Sequence, residues 1–284
     1  SHTLRQKGAL NTAPEAALSG IWQSDTGPAA DEEGNVYAVT GNGVFNAASG
    51  GRDFGDSVLK LGFTSAGLAV KDYFTPFDQE ERNRTDGDLG SGGPLLVPPQ
   101  PGSSMRLAIT AGKGRELFVL NREHMGRFRM GSNRHAVQTV RLEGGVFGSP
   151  SYWEGHIYVC AQNDVLWDFV IEDNRLALAS QGEMHFTNPG AVPAISANGS
   201  KDGIVWLIET SRGHASNVPA VLHAYDARNV ALELYNSAQN SGRDQAGASL
   251  HFTIPTVADG RVYVPASREL DIYGLLSAKP DLRQ

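Results

Sequence analysis

The sequence predicts an all-β protein, specifically a β-propeller of about five four-stranded blades. Short runs of β-branched and aromatic residues, which are typical of strands, recur along the whole chain. A proline-containing apolar segment precedes each run, and another short strand-like segment follows it. Long amphipathic helical patterns are absent from the sequence. A strand-rich unit that repeats along the chain in this way is typical of propellers.

The repeated unit is clearest in its second strand, which in most units begins at a glycine. In the first four units two further segments follow this strand, which completes a set of four antiparallel strands. The last unit stops after ELDIYGLL and lacks its fourth strand. The five second strands are GNVYAV (34–39), MRLAIT (105–110), GHIYVC (155–160), GIVWLI (203–208) and GRVYVP (260–265).

The missing fourth strand leaves an open edge, and open edges invite aberrant pairing. We expect residues 4–12, LRQKGALNT, to complete the last blade and close the ring. The alternative is that further blades precede Ser1, so that the ring is open or is completed by another chain, as in a homodimer through the blade edge. With the ring closed by residues 4–12, the single domain 1–284 divides into five blades, at about 20–80, 87–143, 144–182, 187–237 and 250–276 plus 4–12.

Composition narrows the function classes. The 284 residues are 40% hydrophobic and 19% charged, which is typical of a chain with a large core. The net charge of -7 comes without a basic block, so the sequence argues against a nucleic-acid or anionic membrane surface and is compatible with cationic partners. The lone cysteine, Cys160, has no partner for an internal disulfide, and we expect it to be buried on a strand. The opening SHTLRQKGALNT lacks an initiator Met, which indicates a processed or truncated N-terminus.

Several longer motifs together resemble one family. SGIWQSDTGPAADEEGNVYAVTGNG, DGDLGSGGPLLV, LFVLNREHMG and FTIPTVADGRVYV are similar to segments of the bacterial quinoprotein-dehydrogenase-like propellers, whose repeats are named after pyrroloquinoline quinone (PQQ). The resemblance covers nearly all of residues 4–276 and matches only the C-terminal part of a typical member. It implies a periplasmic or secreted parent protein.

The resemblance also implies a cofactor site. In the PQQ alcohol dehydrogenases of this family, a Thr-Gly-Asn turn supplies an Asn oxygen to Ca²⁺, and TGNG places Asn42 at that position. DGDLG places Asp88 at the position of the general base, with Gly87 where the family has Trp. The family's metal-binding Glu, cysteine pair and cofactor-stacking Trp would lie upstream of this chain. Asn42 and Asp88 are therefore the candidate PQQ and Ca²⁺ residues.

The loops that enter the inner strands, and those that join the second and third strands, should share one face around a central channel. His185 and His251 are both followed by Phe-Thr, so we expect them to face the axis from neighbouring blades. Two imidazoles with carboxylates suit Zn²⁺ or Mn²⁺ and an activated water, although histidines that are merely packed or exposed would give the same pattern. The polar residues expected on this face are Asp25, Asn42, Asp86, Asp88, Ser91, Asn163, Asp164, His185, Asn188 and His251.

Three functional hypotheses follow. The first is a binding or scaffold propeller whose channel holds a divalent metal or a small ligand. The second is a metal-assisted hydrolase of activated esters or phosphoesters, with Asp88, His185 and His251 as catalytic residues and Asp25 and Asn42 as further ligands. The third is a residual PQQ and Ca²⁺-dependent alcohol dehydrogenase. The first requires the fewest absent residues. A nucleotide loop at TGNG is excluded, because another strand follows it and no Gly-Lys-Ser/Thr does.

Overall fold

The computed structural model describes residues 5–65, 67–210 and 218–276. They form five sheets of mainly antiparallel strands, which confirms the all-β propeller prediction. Sheet 1 begins with β1 (Ala29–Ala30), β2 (Val36–Val39), β3 (Val58–Thr64) and β4 (Gly67–Thr75). Sheet 2 begins with β5 (Leu95–Leu96), β6 (Leu107–Ala111) and β7 (Glu116–Asn121). The chain then returns to sheet 1, where β8 (Arg127–Phe128) pairs with β4 in parallel, before β9 (Gln138–Arg141) completes sheet 2.

The next three sheets follow the same plan in chain order. Sheets 3 and 4 have four antiparallel strands each, and sheet 5 has three. Sheet 3 holds β10 (Ser151–Trp153), β11 (His156–Cys160), β12 (Leu166–Glu172) and β13 (Arg175–Gln181), sheet 4 holds β14 (Ala194–Asn198), β15 (Lys201–Glu209), β16 (Val221–Asp226) and β17 (Asn229–Asn236), and sheet 5 holds β18 (Thr256–Ala258), β19 (Arg261–Ala266) and β20 (Glu269–Gly274).

A tight turn between β1 and β2 shows how the sequence forms these hairpins. Asp31 Oδ1 accepts hydrogen bonds from the backbone N–H groups of Glu33 and Asn35, at 3.1 and 2.8 Å. Gly34 takes the left-handed conformation, with φ of 80°, which costs glycine little. The carboxylate and the glycine together fix the turn.

Apolar layers between neighbouring sheets hold the five sheets together. Each large side chain buried in such a layer contributes about 1.5–3 kcal/mol. The layers include Tyr37, Phe74 and Phe118 between sheets 1 and 2, Ile109, Ile157 and Phe169 between sheets 2 and 3, Tyr158, Leu207 and Tyr225 between sheets 3 and 4, and Ile208, Leu222 and Val264 between sheets 4 and 5.

The first strand of each sheet lies towards a common axis. β1 contacts β5, β10 contacts β14, and β14 contacts β18, although none of these pairs shares a sheet. The loops that lead into these strands are therefore brought together, and they form the site described below.

The N-terminal segment differs from the closure expected of residues 4–12. Residues 5–12 form no strand, and β20 pairs with β19 alone among the described residues. Leu10 instead packs against the apolar surface of sheet 1, beside Leu59 and Tyr73. Among the described residues no strand covers the edge strand β20, and its Leu270 and Ile272 are more than half exposed. The number of blades in a complete ring therefore stays a prediction.

Helices contribute little to the described part of the chain. The α-helices are α1 (Gln79–Thr85) and α2 (Ser241–Asp244), each of two turns or fewer. Within 5–65, 67–210 and 218–276, no helix is both long and apolar enough to span a membrane.

Candidate functional site

A small cavity lies where the loops before the inner strands meet. Asp25 precedes β1, Phe147 precedes β10, Gly190 precedes β14 and Phe252 precedes β18, and all four line this cavity. Its volume is about 10 Å³, which is room for one water-sized group. We call it the axial cavity. Because four sheets contribute to its wall, it lies on the axis of the propeller.

Three aromatic side chains pack together beside the axial cavity. The ring centroids of Trp22 and Phe147 are 6.4 Å apart, those of Trp22 and Phe252 are 6.5 Å apart, and those of Phe147 and Phe252 are 5.7 Å apart. Trp22 is 40% exposed and Phe252 is 42% exposed. This aromatic cluster therefore presents ring surface to solvent at the axis, next to the cavity.

Phe252 has an unusual backbone. Its φ is 60°, in the left-handed region that bulky residues rarely adopt. Such conformations persist where the surrounding structure enforces them, and they concentrate at ligand sites. Here the conformation accompanies a ring that contacts both other members of the aromatic cluster.

Asp25 places a carboxylate in the wall of the axial cavity. Both of its oxygens are buried, and neither accepts a hydrogen bond from another residue that the structure describes. Burial raises the pKa of this carboxyl from 3.8 to about 6, and its own backbone N–H partly offsets that effect. A buried carboxylate without a partner is costly, so this group is either protonated or in need of a cation.

The loop that carries Asp25 is held firmly. Gln23 and Ser24 both have positive φ, at 45° and 49°. Gln23 Oε1 accepts a hydrogen bond from the backbone N–H of Val39 at 2.9 Å, and Ser24 Oγ donates to the carbonyl of Ser91 at 2.8 Å. These bonds tie the loop to sheets 1 and 2, so the unpartnered carboxylate is a property of a fixed loop.

Thr210 adds a third unpartnered oxygen. It follows β15, is 4% exposed and lines the axial cavity. Its Oγ1 is buried without a hydrogen-bond partner among the residues that the structure describes. Its backbone carbonyl accepts a hydrogen bond from Thr187 Oγ1 at 2.8 Å. The cavity wall thus has three buried oxygens with unused hydrogen-bonding capacity.

Asp88 is hydrogen-bonded to the indole of Trp22. Its Oδ2 accepts a hydrogen bond from Trp22 Nε1 at 2.9 Å, and its Oδ1 accepts one from the backbone N–H of Gly90 at 2.8 Å. Burial raises the pKa of Asp88, while the nearby Lys113 ammonium acts in the opposite direction. The carboxylate orients the indole ring and so helps to place the aromatic cluster.

Lys113 joins the acidic residues of this loop. Its Nζ is 2.7 Å from Asp86 Oδ1 and 3.6 Å from Asp88 Oδ2, and it lies 5.6 Å from the centroid of the Trp22 ring. The hydrogen bond from Lys113 is the main reason why the pKa of Asp86 is lowered. Asn42 Nδ2 also donates to Asp86 Oδ1, at 2.7 Å.

These contacts bear on the Ca²⁺ and PQQ site that the resemblance implies. Asn42 Oδ1 is buried without a described partner, as a metal-binding oxygen would be before it binds an ion. However, the Lys113 ammonium already lies against Asp88 and Asp86, and a Ca²⁺ ion there would meet its charge. With Lys113 in this position, the side chains present do not fit Ca²⁺.

Asp56 is hydrogen-bonded to the loop that carries Asp88. It is fully buried, and its carboxylate accepts hydrogen bonds from the backbone N–H of Leu89 at 3.0 Å and from Gln79 Nε2 at 3.2 Å. Burial raises its pKa to about 6. Asp56 therefore fixes the turn that carries Asp88.

The histidines considered as ligands lie in different surroundings. His185 is exposed, and His251 is partly buried, with its ring centroid 6.0 Å from that of Phe252. Among the described residues, no group of three or more His, Cys, Asp or Glu side chains is placed to hold a metal ion. The set of Asn42, Asp25, Asp88, His185 and His251 is not brought together as one metal centre.

Of the other polar residues expected on the axial face, Ser91 and Asp164 have structural contacts. Ser91 is fully buried, and its Oγ donates to the carbonyl of Val146 at 2.7 Å. Asp164 accepts hydrogen bonds from the backbone N–H groups of Glu143 and Val165. Asn163 lies in a turn with φ of 54°, and Asn188 is exposed.

Sequence reasoning missed the aromatic cluster, Thr210 and the role of Lys113. A signal for the aromatic residues exists, because a large apolar side chain precedes the proline at the start of most units, as in IWQSDTGP, VFGSP, HFTNP and HFTIP. Aligning the units on that proline places Phe147, Phe186 and Phe252 three residues before it, whereas Trp22 lies six residues before Pro28 and does not align with them. No comparable pattern marks Thr210 or Lys113, since each acts through neighbours far away in sequence.

Comparisons with known proteins support the fold. No protein-family model matches this chain, and no curated protein does. Among solved structures, the β-propeller domain of Cps50 (Swd1) from Myceliophteria thermophila is similar, with a TM-score of 0.50 and 14% identity, over 94% of this chain and 69% of that one. BamB from Moraxella catarrhalis has a TM-score of 0.34 and 13% identity, over 88% of this chain and 68% of that one. At such identities the likeness extends to the fold alone.

Proposed function

We propose that this β-propeller is a binding protein that holds a small cationic molecule at its axis. The observation that carries the proposal is the buried carboxylate of Asp25, which has no partner among the other described residues. An ionised carboxylate in an apolar cavity is destabilising unless a cation accompanies it. A cationic ligand supplies that partner, and the fixed loop places the carboxylate in advance.

The aromatic cluster supports a cation in particular. The faces of Trp and Phe rings attract positive charge, and each such contact is worth about 0.5–2 kcal/mol. Trp22 and Phe252 are both partly exposed beside the axial cavity. The net charge of -7 acts in the same direction over longer distances, because it favours the approach of cations.

The two enzymatic hypotheses receive less support. The hydrolase hypothesis requires His185, His251 and Asp88 to bind one metal ion. These three described side chains do not form a group that could hold one. The dehydrogenase hypothesis requires Asn42 and Asp88 to face a divalent cation, but the Lys113 ammonium lies against Asp88, and Asn42 donates to Asp86. A binding role needs no residue beyond those present around the cavity.

Binding of four probes that each carry a short unbranched alkyl chain, measured by isothermal titration calorimetry, tests the proposal. The probes are n-butylammonium, n-butyltrimethylammonium, n-butanol and n-butyrate. We expect at least one of the two cations to bind, butanol to bind more weakly, and butyrate not to bind. Asp25→Asn should weaken binding of that cation by about tenfold or more, since it removes a charge-assisted contact.

Asp202→Asn is the matched control, because Asp202 is an exposed residue near the start of β15. It should bind the cations like the unsubstituted protein. The proposal is overturned if neither cation binds, if butyrate binds as tightly as the cations, or if Asp25→Asn binds the cations unchanged.

A further inference from the structure

The geometry points to a primary ammonium, R–NH₃⁺, as the cationic group, with its nitrogen in the axial cavity and its apolar stem along the aromatic cluster. This inference rests on the proposed function and names the class of ligand. Three properties of the cavity support it, namely its size, its unpartnered oxygens and the nature of the rest of its wall.

Size limits the cationic group. The axial cavity has a volume of about 10 Å³, which is enough for one water-sized group. An –NH₃⁺ group is close to a water molecule in size. A guanidinium has four heavy atoms in a plane, and a trimethylammonium has three methyl groups around its nitrogen, so each is larger than one water-sized group. The cavity therefore favours a primary ammonium over the bulkier cations.

The unpartnered oxygens match the same group. An –NH₃⁺ group has three N–H donors and no acceptor. The cavity wall offers Asp25 Oδ1, Asp25 Oδ2 and Thr210 Oγ1, all buried and without partners among the other described residues. Two of these acceptors belong to a carboxylate, which forms the stronger, charge-assisted hydrogen bonds. Donors and acceptors thus match in number and in charge.

The rest of the wall carries no opposing charge. Asp25 is the ionisable residue of the lining, and its other members include Gly190, Val192 and Ile208, which are apolar. Among the described residues of the lining, a protonated amine in the cavity therefore faces one carboxylate and no second cation. Lys113 is not part of this lining; it is paired with Asp86 and Asp88.

The aromatic cluster provides a path for the stem of the ligand. Phe147 and Phe252 both line the axial cavity, and Phe252 is 42% exposed. An apolar chain attached to the ammonium would pass from the cavity along these rings towards solvent. Burying one methylene group contributes about 0.8 kcal/mol, so a stem of a few carbons gains useful affinity.

The experiment compares n-butylammonium with n-butyltrimethylammonium on the unsubstituted protein and on two variants of Thr210. We expect n-butylammonium to bind about tenfold tighter than its trimethyl analogue. Thr210→Val, which removes the hydroxyl but keeps the shape, should weaken n-butylammonium binding about three- to tenfold and leave the trimethyl analogue unchanged. Thr210→Ser keeps the hydroxyl and should bind like the unsubstituted protein, which provides the control if Thr210→Val folds poorly.

The outcomes separate the inference from the proposed function. If the trimethyl analogue binds as tightly as n-butylammonium, and Asp25→Asn weakens both, the primary-ammonium inference is overturned while the proposed function stands. If Thr210→Val binds n-butylammonium as the unsubstituted protein does, the three-acceptor arrangement is overturned. If neither cation binds and a buried water is the only occupant of the cavity, both the inference and the proposed function fail.

Discussion

Replacing Asp25 with asparagine should stabilise the folded protein at neutral pH in the absence of ligand. Asparagine has nearly the same shape but carries no charge, so it removes the cost of a buried carboxylate. In the folded protein, burial raises the pKa of Asp25 from 3.8 to about 6. One pKa unit corresponds to about 1.4 kcal/mol, so the ionised side chain costs the fold about 3 kcal/mol.

The pH dependence of this effect has a definite sign. Between pH 3.8 and about 6 the folded protein keeps the Asp25 proton while the unfolded chain releases it. Because the folded state then binds more protons, stability decreases as the pH rises through that window. Below the window Asp25 has no effect, and above it the full cost is present. Asp25→Asn should therefore be most stabilising above about pH 6.5 and nearly neutral at about pH 4.

Urea unfolding followed by tryptophan fluorescence at a series of pH values measures this difference. Subtracting the free energy of unfolding of the unsubstituted protein from that of Asp25→Asn isolates Asp25 from Asp56, whose pKa burial also raises to about 6. The exposed Asp202→Asn serves as the control. Equal stability of Asp25→Asn and the unsubstituted protein across the whole range would refute the claim that burial of Asp25 raises its pKa and costs the fold free energy.

Three further substitutions test other contacts. Lys113→Met should destabilise the fold by about 1 kcal/mol in urea unfolding at neutral pH, and by less at acid pH, because it removes the counter-charge of partly buried Asp88; equal loss at both pH values would contradict this. His156→Leu should lower the free energy of unfolding by about 3 kcal/mol in the same assay, because Asp168 is fully buried and loses a hydrogen-bond partner at 2.8 Å. A decrease below about 1 kcal/mol would contradict this. Leu270→Lys should slow aggregation measured by light scattering, because it places a charge on the open edge strand, and an unchanged rate would argue against exposure of that edge.

The fold was predictable from local sequence because its elements repeat. Runs such as GNVYAV and GHIYVC begin at a turn glycine and continue with the β-branched, aromatic and other apolar residues that favour strands. Both runs contain a strand in the structure. The closure of the ring was not predictable in this way. Leu10 belongs to a short segment whose residues are compatible with a strand. In the structure it packs instead against an apolar surface of sheet 1, which forms only when the chain folds.

The candidate site was predictable only in part, because its properties depend on what surrounds each residue. Asp25 is one of several loop carboxylates in the sequence, and nothing local distinguishes it from Asp86. In the structure Asp86 is exposed and bonded to Lys113, whereas the oxygens of Asp25 are buried with no partner among the other described residues. Desolvation and pairing decide which carboxylate needs a ligand, and neither leaves a spacing pattern in the chain.

The stability cost and the proposed function of Asp25 have the same physical origin. A carboxylate that has a partner within the protein would stabilise the fold but would have little free energy left to gain from a ligand. Asp25 has no such partner among the other residues that the structure describes, so a cation that binds there would recover free energy that folding has lost. A substitution that stabilises the empty protein, such as Asp25→Asn, should therefore weaken binding of the ligand. Such opposition between stability and function is expected where a site is kept ready for its ligand, and it distinguishes a binding residue from one that is merely badly packed.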